Sequence, residues 1–351
     1  MRRASLPKAA LIALAVAAAA AGMAYLLLGE AYAARARRLE AAGDFAAAAA
    51  RYRKAVSIFR LFGKEAEEEE TLLALASCYS ALDRNLLAAR AAAEACAMAR
   101  ARVKRGEEKP AALADRLALL AYYRYRADMT EDAWEALSEA RELDADNPRT
   151  AYVQGLLLMQ AGDFAMALKT LDRAVELGRK RKDRFLGNYH LARAEVLVRL
   201  ERYGEAKEDA ARAISEGLSG LEARLVYIKC CIYTGDLKEG RRAAVEAEDK
   251  FPDFPVFRCY LATLDMLDGK YEAAKARFEE VLSLGGPEGE DVTFSLGVAC
   301  FCLGSYDEAR RHFMAARETD PVLVTVLLYL CAMKGGSEKE AEHLLDSPPF
   351  A

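Results

Sequence analysis

The chain has 351 residues, 53% of them apolar and 30% charged, with a formal net charge of −4. So much apolar matter beside only nine prolines and one tryptophan describes a folded, helix-rich protein and excludes a disordered or collagen-like one. The mild acidity argues against a general nucleic-acid binder, which needs clustered Lys and Arg in excess.

Residues 1–8 form a short basic tail with Arg2, Arg3 and Lys8, and residues 9–29 follow without a charge. A helix of that length spans about 31 Å at ~1.5 Å per residue, against about 30 Å of bilayer hydrocarbon. Ten of these residues are Ala, near neutral for insertion, so Leu11, Ile12, Leu14, Val16, Met23, Leu26, Leu27 and Leu28 decide. At roughly −0.3 to −0.6 kcal/mol each they contribute about −2.4 to −4.8 kcal/mol. The segment is therefore expected to be a single-pass transmembrane signal-anchor. The rival is a cleaved secretory signal, because Ala31-Tyr32-Ala33 has the small-x-small shape of a cleavage site. Cleavage there would remove half of the first repeat helix. Arg2, Arg3 and Lys8 on one side tie with Arg35, Arg37 and Arg38 on the other. A short tail that stays inside favours an extracytoplasmic solenoid; eight Cys without framework spacing point the other way, toward a reducing compartment.

From residue 30 to 345 the end of a helical hairpin recurs: Gly43-Asp44-Phe45, Gly162-Asp163-Phe164, Gly235-Asp236-Leu237, Gly269-Lys270-Tyr271 and Gly304-Ser305-Tyr306. The register predicts eight units, starting near residues 29, 69, 114, 148, 187, 221, 255 and 290, with a capping helix from Val324 and a tail at 346–351. Three columns of small residues run through them. The second helix carries Ala48, Ala88, Ala133, Ala167, Ala206, Gly240, Ala274 and Ala309. Seven residues later come Ala55, Ala95, Ala140, Ala174, Ala213, Ala247, Val281 and Ala316. The first helix supplies Ala36, Ala76, Ala121, Gly155, Ala194, Ile228, Ala262 and Gly297. Where two helix backbones cross closely the facing side chains must be small, and Tyr52, Leu137, Leu171, Phe278 and Phe313 fill the space between. Each turn Gly suits a left-handed residue, and the Asp or Ser behind it can cap the second helix. A period near 34 residues marks hairpins that bury their apolar faces only by stacking.

In these features the chain resembles the tetratricopeptide repeat family. The fourth unit shows it in Gly155, Gly162-Asp163-Phe164, Ala167, Leu171 and Ala174, the eighth in Leu296-Gly297, Gly304-Ser305-Tyr306, Ala309, Phe313, Ala316 and Asp320-Pro321. The resemblance implies an all-α, right-handed superhelical solenoid whose concave face, lined by the first helix of each unit, holds peptides or helices. Gln154 and Arg193 depart from the family's usual Leu, and the second unit has Asp83 and Asn85 in place of the turn Gly and aromatic.

Chemistry-bearing motifs are sparse. His190, His312 and His343 lie on different repeats without HExxH spacing, no CxxC occurs, and neither a phosphate-binding loop nor a nucleophile elbow is present. No enzyme, metal or cofactor is therefore expected. Glu67 to Glu70 reads as a solvated helix start, and the basic runs Arg100, Arg102, Lys104, Arg105 and Arg179 to Arg184 as solvated extensions or contacts to an acidic partner.

What remains is recognition by the concave groove. Projecting the register places Tyr122, Tyr125, Arg126, Tyr152, Leu156, Met159, Leu191, Glu195, Val198, Leu225, Lys229, Ile232, Tyr233, Tyr260 and Met266 along it, a mostly apolar, Tyr-rich surface. The expected occupant is a protein partner, as a peptide or an amphipathic helix, and the expected role an anchored scaffold in cell-envelope assembly or maintenance. The alternatives are a self-assembling spacer, through Ala-rich faces such as Ala13, Ala17 and Ala20, and a secreted repeat protein after signal cleavage.

Overall fold

The computed structural model describes residues 8–218, 220–284, 290–316 and 320–345, with side chains at 22–218, 220–284, 292–316, 320–339 and 341–344. Among them are eighteen α-helices and no strand, divided into two compact units, 1–189 and 190–351. The first unit holds α1 (Lys8–Ala41), α2 (Phe45–Leu61), α3 (Glu65–Ala81), α4 (Asn85–Lys104), α5 (Pro110–Arg126), α6 (Thr130–Leu143), α7 (Pro148–Gln160), α8 (Phe164–Arg181) and the first turn of α9 (Leu186–Arg199). The second continues through α10 (Tyr203–Ser215), α11 (Leu221–Tyr233), α12 (Leu237–Lys250), α13 (Val256–Leu267), α14 (Tyr271–Ser283), α15 (Glu290–Cys302), α16 (Tyr306–Ala315), α17 (Pro321–Lys334) and α18 (Glu338–Leu345). Consecutive helices pack together from α1 to α8 in the first unit and from α10 to α18 in the second. So do first helices of successive hairpins, α3 on α5 and α5 on α7, then α11 on α13 and α13 on α15. This is an all-helical, tetratricopeptide-like solenoid.

The small columns lie where the helices meet: Ala48, Ala88, Ala133, Ala167, Ala206, Ala274 and Ala309 are all fully buried, as are Ala36, Ala76, Ala121, Ala194, Ile228 and Ala262. Volume is traded within a hairpin. A Cβ on Gly155 would stand 2.6 Å from Leu171 Cγ, and one on Gly297 would stand 2.8 Å from the Phe313 ring. In the sixth hairpin the bulk is reversed, with Ile228 on the first helix and Ala244 on the second, both fully buried in one cluster. A close-packed interior tolerates such swaps when the summed volume is kept.

The turn glycines Gly43, Gly162, Gly235, Gly269 and Gly304 have φ between +73° and +81°, a left-handed conformation that costs a Cβ-bearing residue free energy. Hairpins without that glycine put Asp83, Asp128 and Glu201 at φ +56° to +60° instead. Capping is selective. Asp44 accepts from Ala47 N at 3.0 Å and Asp163 from Met166 N at 3.1 Å. Ser305 makes no side-chain cap, and Asp236 is drawn to Lys207 Nζ at 2.6 Å and Thr234.

One expectation needs correction. Glu68 and Glu69 are not a solvated helix start: they are 6% and 2% exposed. Arg60 Nε donates to Glu68 at 2.6 Å, Arg116 Nε donates to Glu69 at 2.7 Å, and Arg102 also pairs with Glu69. The pattern recurs. Asp209, 1% exposed, takes both oxygens to Arg193 at 2.6 and 2.7 Å with His190 Nδ1 2.9 Å away. Asp265, 3% exposed, lies between Arg241 at 2.7 Å and Arg277 at 3.0 Å. A buried carboxylate survives loss of water only when such partners replace it. Arg193, a departure from the family's Leu, is thereby explained. The run from Arg100 is likewise consumed internally, Arg100 by Glu139 and Arg105 by Glu65 and Glu107.

Helix α1 runs unbroken through the apolar segment into the first hairpin. Among the described residues no helix is long and apolar enough to cross a membrane. The side chains of residues 9–21, most of the expected anchor, lie outside the described set, as do residues 346–351.

Candidate functional site

In the first unit a groove of about 600 Å³ is lined by α1, α3, α5, α7 and the segment entering α9. Its floor is a run of tyrosines. The Tyr122 and Tyr123 rings meet edge-on at 5.5 Å, Tyr122 stacks on Tyr152 at 6.4 Å, and Tyr152 tilts on Tyr189 at 5.1 Å. Tyr123 and Tyr189 are buried, while Tyr122 and Tyr152 are half-buried and leave part of each ring open. Helix α5 sets this up by placing Ala118, Leu119, Tyr122, Tyr123 and Arg126 on one face. Gly178 on α8 makes room for Tyr189, whose ring would lie 2.8 Å from a Cβ there. The Tyr189 hydroxyl donates to Asp183 at 2.8 Å, and burial with that carboxylate pushes its pKa well above the ordinary phenol range.

At the α7 end the groove is cationic. Phe185 lies between two guanidiniums, with Arg149 at 4.7 Å and Arg184 at 4.8 Å from its ring centre, an arrangement that holds both cations over an aromatic face. The Arg149 guanidinium makes only long ion pairs, Nε with Asp183 at 3.6 Å and Nη1 with Asp115 at 3.9 Å. At the other end the Tyr52 hydroxyl donates to Glu40 at 2.7 Å, and Arg37 lies 3.7 Å from Glu70. The lining thus carries Arg37, Arg126, Arg149 and Arg184 against Glu40 and Glu70. An aromatic shelf flanked by guanidiniums can hold an apolar side chain and an acidic one together.

Of the predicted residues the groove brings together Tyr122, Arg126 and Tyr152. Leu156 is buried in the core, and Tyr125 and Met159 are half-buried outside the lining. In the second unit Leu191, Glu195, Val198, Leu225, Lys229, Ile232, Tyr260 and Met266 are half-buried. Leu225, Ile232 and Tyr260 pack on one hydrophobic cluster and Met266 on another. Tyr233 is 59% exposed, stacked on Tyr203 at 4.3 Å, with Lys229 Nζ 6.0 Å over its ring. Desolvation, and then the charge of Glu222, pushes Glu195 up to about 6.

The projection missed Arg37, Glu40, Glu70, Arg149, Arg184 and Phe185. The first four lie on first helices, where the same register carried to α1, α3 and the start of α7 would find them. Arg184 and Phe185 enter from a link, which has no period to read. Within the run from Arg179, Lys180 pairs with Glu176 and Arg181 with Asp144, leaving Arg184 turned to the groove.

A family model described as tetratricopeptide repeat matches residues 261–322. No curated protein matches the sequence significantly. Among solved structures, a chain of the APC/C hetero-tetramer Cut9–Hcn1 aligns with a TM-score of 0.53 at 12% identity, covering 91% of this chain and 72% of that one. PilF of Pseudomonas aeruginosa aligns at 0.50 with 14% identity over 59% of this chain and 92% of its own. PilW, a type IV pilus biogenesis factor, aligns at 0.50 with 18% identity over 60% and 94%. At these identities the likeness is one of fold.

Proposed function

The chain is a tetratricopeptide-repeat protein, and from that premise we propose that it is a membrane-tethered adaptor whose first-unit groove holds a segment of a protein partner. The observation that carries this reading is the groove itself: a Tyr122–Tyr152 shelf beside Arg149 and Arg184, whose guanidiniums flank Phe185. Guanidiniums held over an aromatic face, with only long ion pairs at Arg149, gain from a carboxylate that approaches more closely. The occupant is a peptide or helix that sets an apolar side chain on the tyrosines and a carboxylate toward Arg149 and Arg184. Nothing in the groove is arranged as a nucleophile with its base, and no reaction is assigned.

The tether is the apolar segment 9–29 less its last turns, because Tyr25, Leu26 and Gly29 already pack against Phe62, Phe59 and Ile58 of the first hairpin. In its favour are the uncharged stretch in the sequence and the unbroken α1 helix, which would lead from a bilayer into the first hairpin without a linker. An envelope role rests on this tether, with the repeats on the extracytoplasmic side.

A photo-crosslinking residue at Tyr122 should capture a partner in cells, and capture should fall when Arg184→Glu is added. The same crosslinker at exposed Glu135, outside the groove lining, should capture little. Equal capture at both positions would dispose of the groove. Cys302 is an exposed thiol, so its alkylation by a membrane-impermeant reagent reports the side on which the repeats lie. Recovery of the full chain in the soluble fraction after gentle lysis would remove the tether.

A further inference from the structure

The second unit contains a cluster apart from the groove of the first. Cys300 on α15 and Glu308 and His312 on α16 offer one ligand atom each, and these atoms all lie within 4.8 Å of one another. Their juxtaposition follows from the packing. Gly297 lets α16 approach α15 so closely that a Cβ there would lie 3.2 Å from His312 Cβ. Cys300 is one turn further along α15, and Glu308 and His312, four residues apart, share one face of α16. The thiol is buried, while Glu308 and His312 are part-exposed, so the cluster has a closed floor and an open side.

From this geometry we propose that Cys300, Glu308 and His312 form a binding site for a single zinc-class divalent cation, with solvent as the fourth ligand. One sulfur, one imidazole nitrogen and one carboxylate oxygen are the donor types zinc takes, and the set is too poor in oxygen for calcium or magnesium. Zinc–sulfur and zinc–nitrogen bonds of about 2.3 and 2.0 Å put tetrahedral ligand atoms roughly 3.5 Å apart. Side-chain rotation of about 1 Å therefore closes the set without backbone movement. Charge balances: as the Sγ–metal bond forms the thiol proton leaves to solvent, and thiolate plus carboxylate neutralise the dication.

Lys275 is the competitor, because its Nζ lies 2.6 Å from Glu308. It also has an alternative, since Glu279 on its own helix stands 3.8 Å away. A metal that takes Glu308 leaves Lys275 with Glu279, and no buried charge is stranded. Arg311 is the further cation whose charge reaches His312.

The test uses the full-length chain stripped with a chelator and titrated with Co²⁺, whose thiolate charge-transfer absorption reports a bound cysteine and whose visible bands report tetrahedral geometry. One Co²⁺ per chain should bind, and Zn²⁺ should displace it. Cys300→Ala and His312→Gln, each checked for folding by far-UV circular dichroism, should abolish the charge-transfer band, whereas Cys302→Ser should leave it intact. Lys275→Met, which removes the competitor and no ligand, should tighten binding by about tenfold, the scale of groups acting on a metal site from outside its ligands. Absence of the band in folded wild-type chain, or its survival in Cys300→Ala, overturns the proposal.

Discussion

The contact between Gly155 and Leu171 predicts a substitution whose sign depends on its neighbour. Gly155→Ala on α7 removes a helix-interior glycine, which on propensity alone should stabilise by about 0.8–1.0 kcal/mol. The new Cβ would lie 2.6 Å from Leu171 Cγ and 2.7 Å from Cδ2, and Leu171 is fully buried. Overpacking of that kind costs about 1–3 kcal/mol, so the single substitution should destabilise by up to about 2 kcal/mol. Leu171→Ala alone opens a cavity worth about 2–5 kcal/mol. In that background the clash is gone, and Gly155→Ala should become stabilising by roughly 1 kcal/mol, with Gly155→Ile recovering more by recreating the Ile228 and Ala244 pair of the sixth hairpin. Urea unfolding of the four chains, followed by far-UV circular dichroism, gives the coupling energy directly. If Gly155→Ala shifts the midpoint by the same amount and in the same direction with and without Leu171, steric exchange between the columns is the wrong account.

Four further outcomes follow from the packing and the charges. Asp209→Ala should cost about 3–5 kcal/mol because it takes a buried carboxylate away from Arg193, Arg212 and His190, whereas Glu69→Ala should cost less because Glu108 stays beside both Arg102 and Arg116; near-wild-type stability of Asp209→Ala plus Arg193→Leu, read by urea unfolding, would tie the cost to the buried pair. Burial pushes Asp209 up, but hydrogen bonds from His190 and Arg193 outweigh it and hold the group at about 2, below its ordinary value of 3.8. Its contribution is therefore complete above pH about 4 and lost as pH falls toward 2, so Asp209→Asn should flatten the acid limb of the stability curve. Glu201→Gly, at φ +59°, should stabilise by about 1 kcal/mol, and a destabilised variant in the same melts would refute the left-handed reading of that turn. Finally, native-state alkylation should modify Cys302 first, half-buried Cys259 slowly, and buried Cys78 and Cys96, whose thiols burial pushes up to about 12, only after unfolding; mass spectrometry of the labelled peptides decides it.

How much was legible in the sequence depended on whether a constraint repeats. Alanine and glycine columns repeat because every hairpin must solve the same close approach, so Ala48, Ala167 and Ala309 announced the solenoid before any coordinates. The groove was half legible for the same reason: Tyr122, Arg126 and Tyr152 follow from the register of first helices, whereas Arg184 and Phe185 come from a link whose length is peculiar to this chain. Leu156 was misplaced because helical period gives an angle, not a depth, and the same stripe serves groove and core.

The buried charges were illegible for a different reason. Glu68, Glu69, Asp209 and Asp265 look like ordinary helix-surface residues in a chain with 30% charged residues, and nothing local distinguishes a carboxylate that faces water from one that faces two guanidiniums. Their partners arrive at separations that vary from site to site: Arg102 and Arg116 lie 33 and 47 residues from Glu69, Arg193 lies 16 from Asp209, and Arg241 and Arg277 lie 24 and 12 from Asp265. A pair that satisfies itself in one place leaves no period. What it can leave is a local departure, and Arg193 is one: an ionised side chain in a column the family fills with Leu is affordable only if an acid waits inside. Cys300, Glu308 and His312 belong to the same class, each ordinary on its own helix and informative only once Gly297 has brought the two helices together.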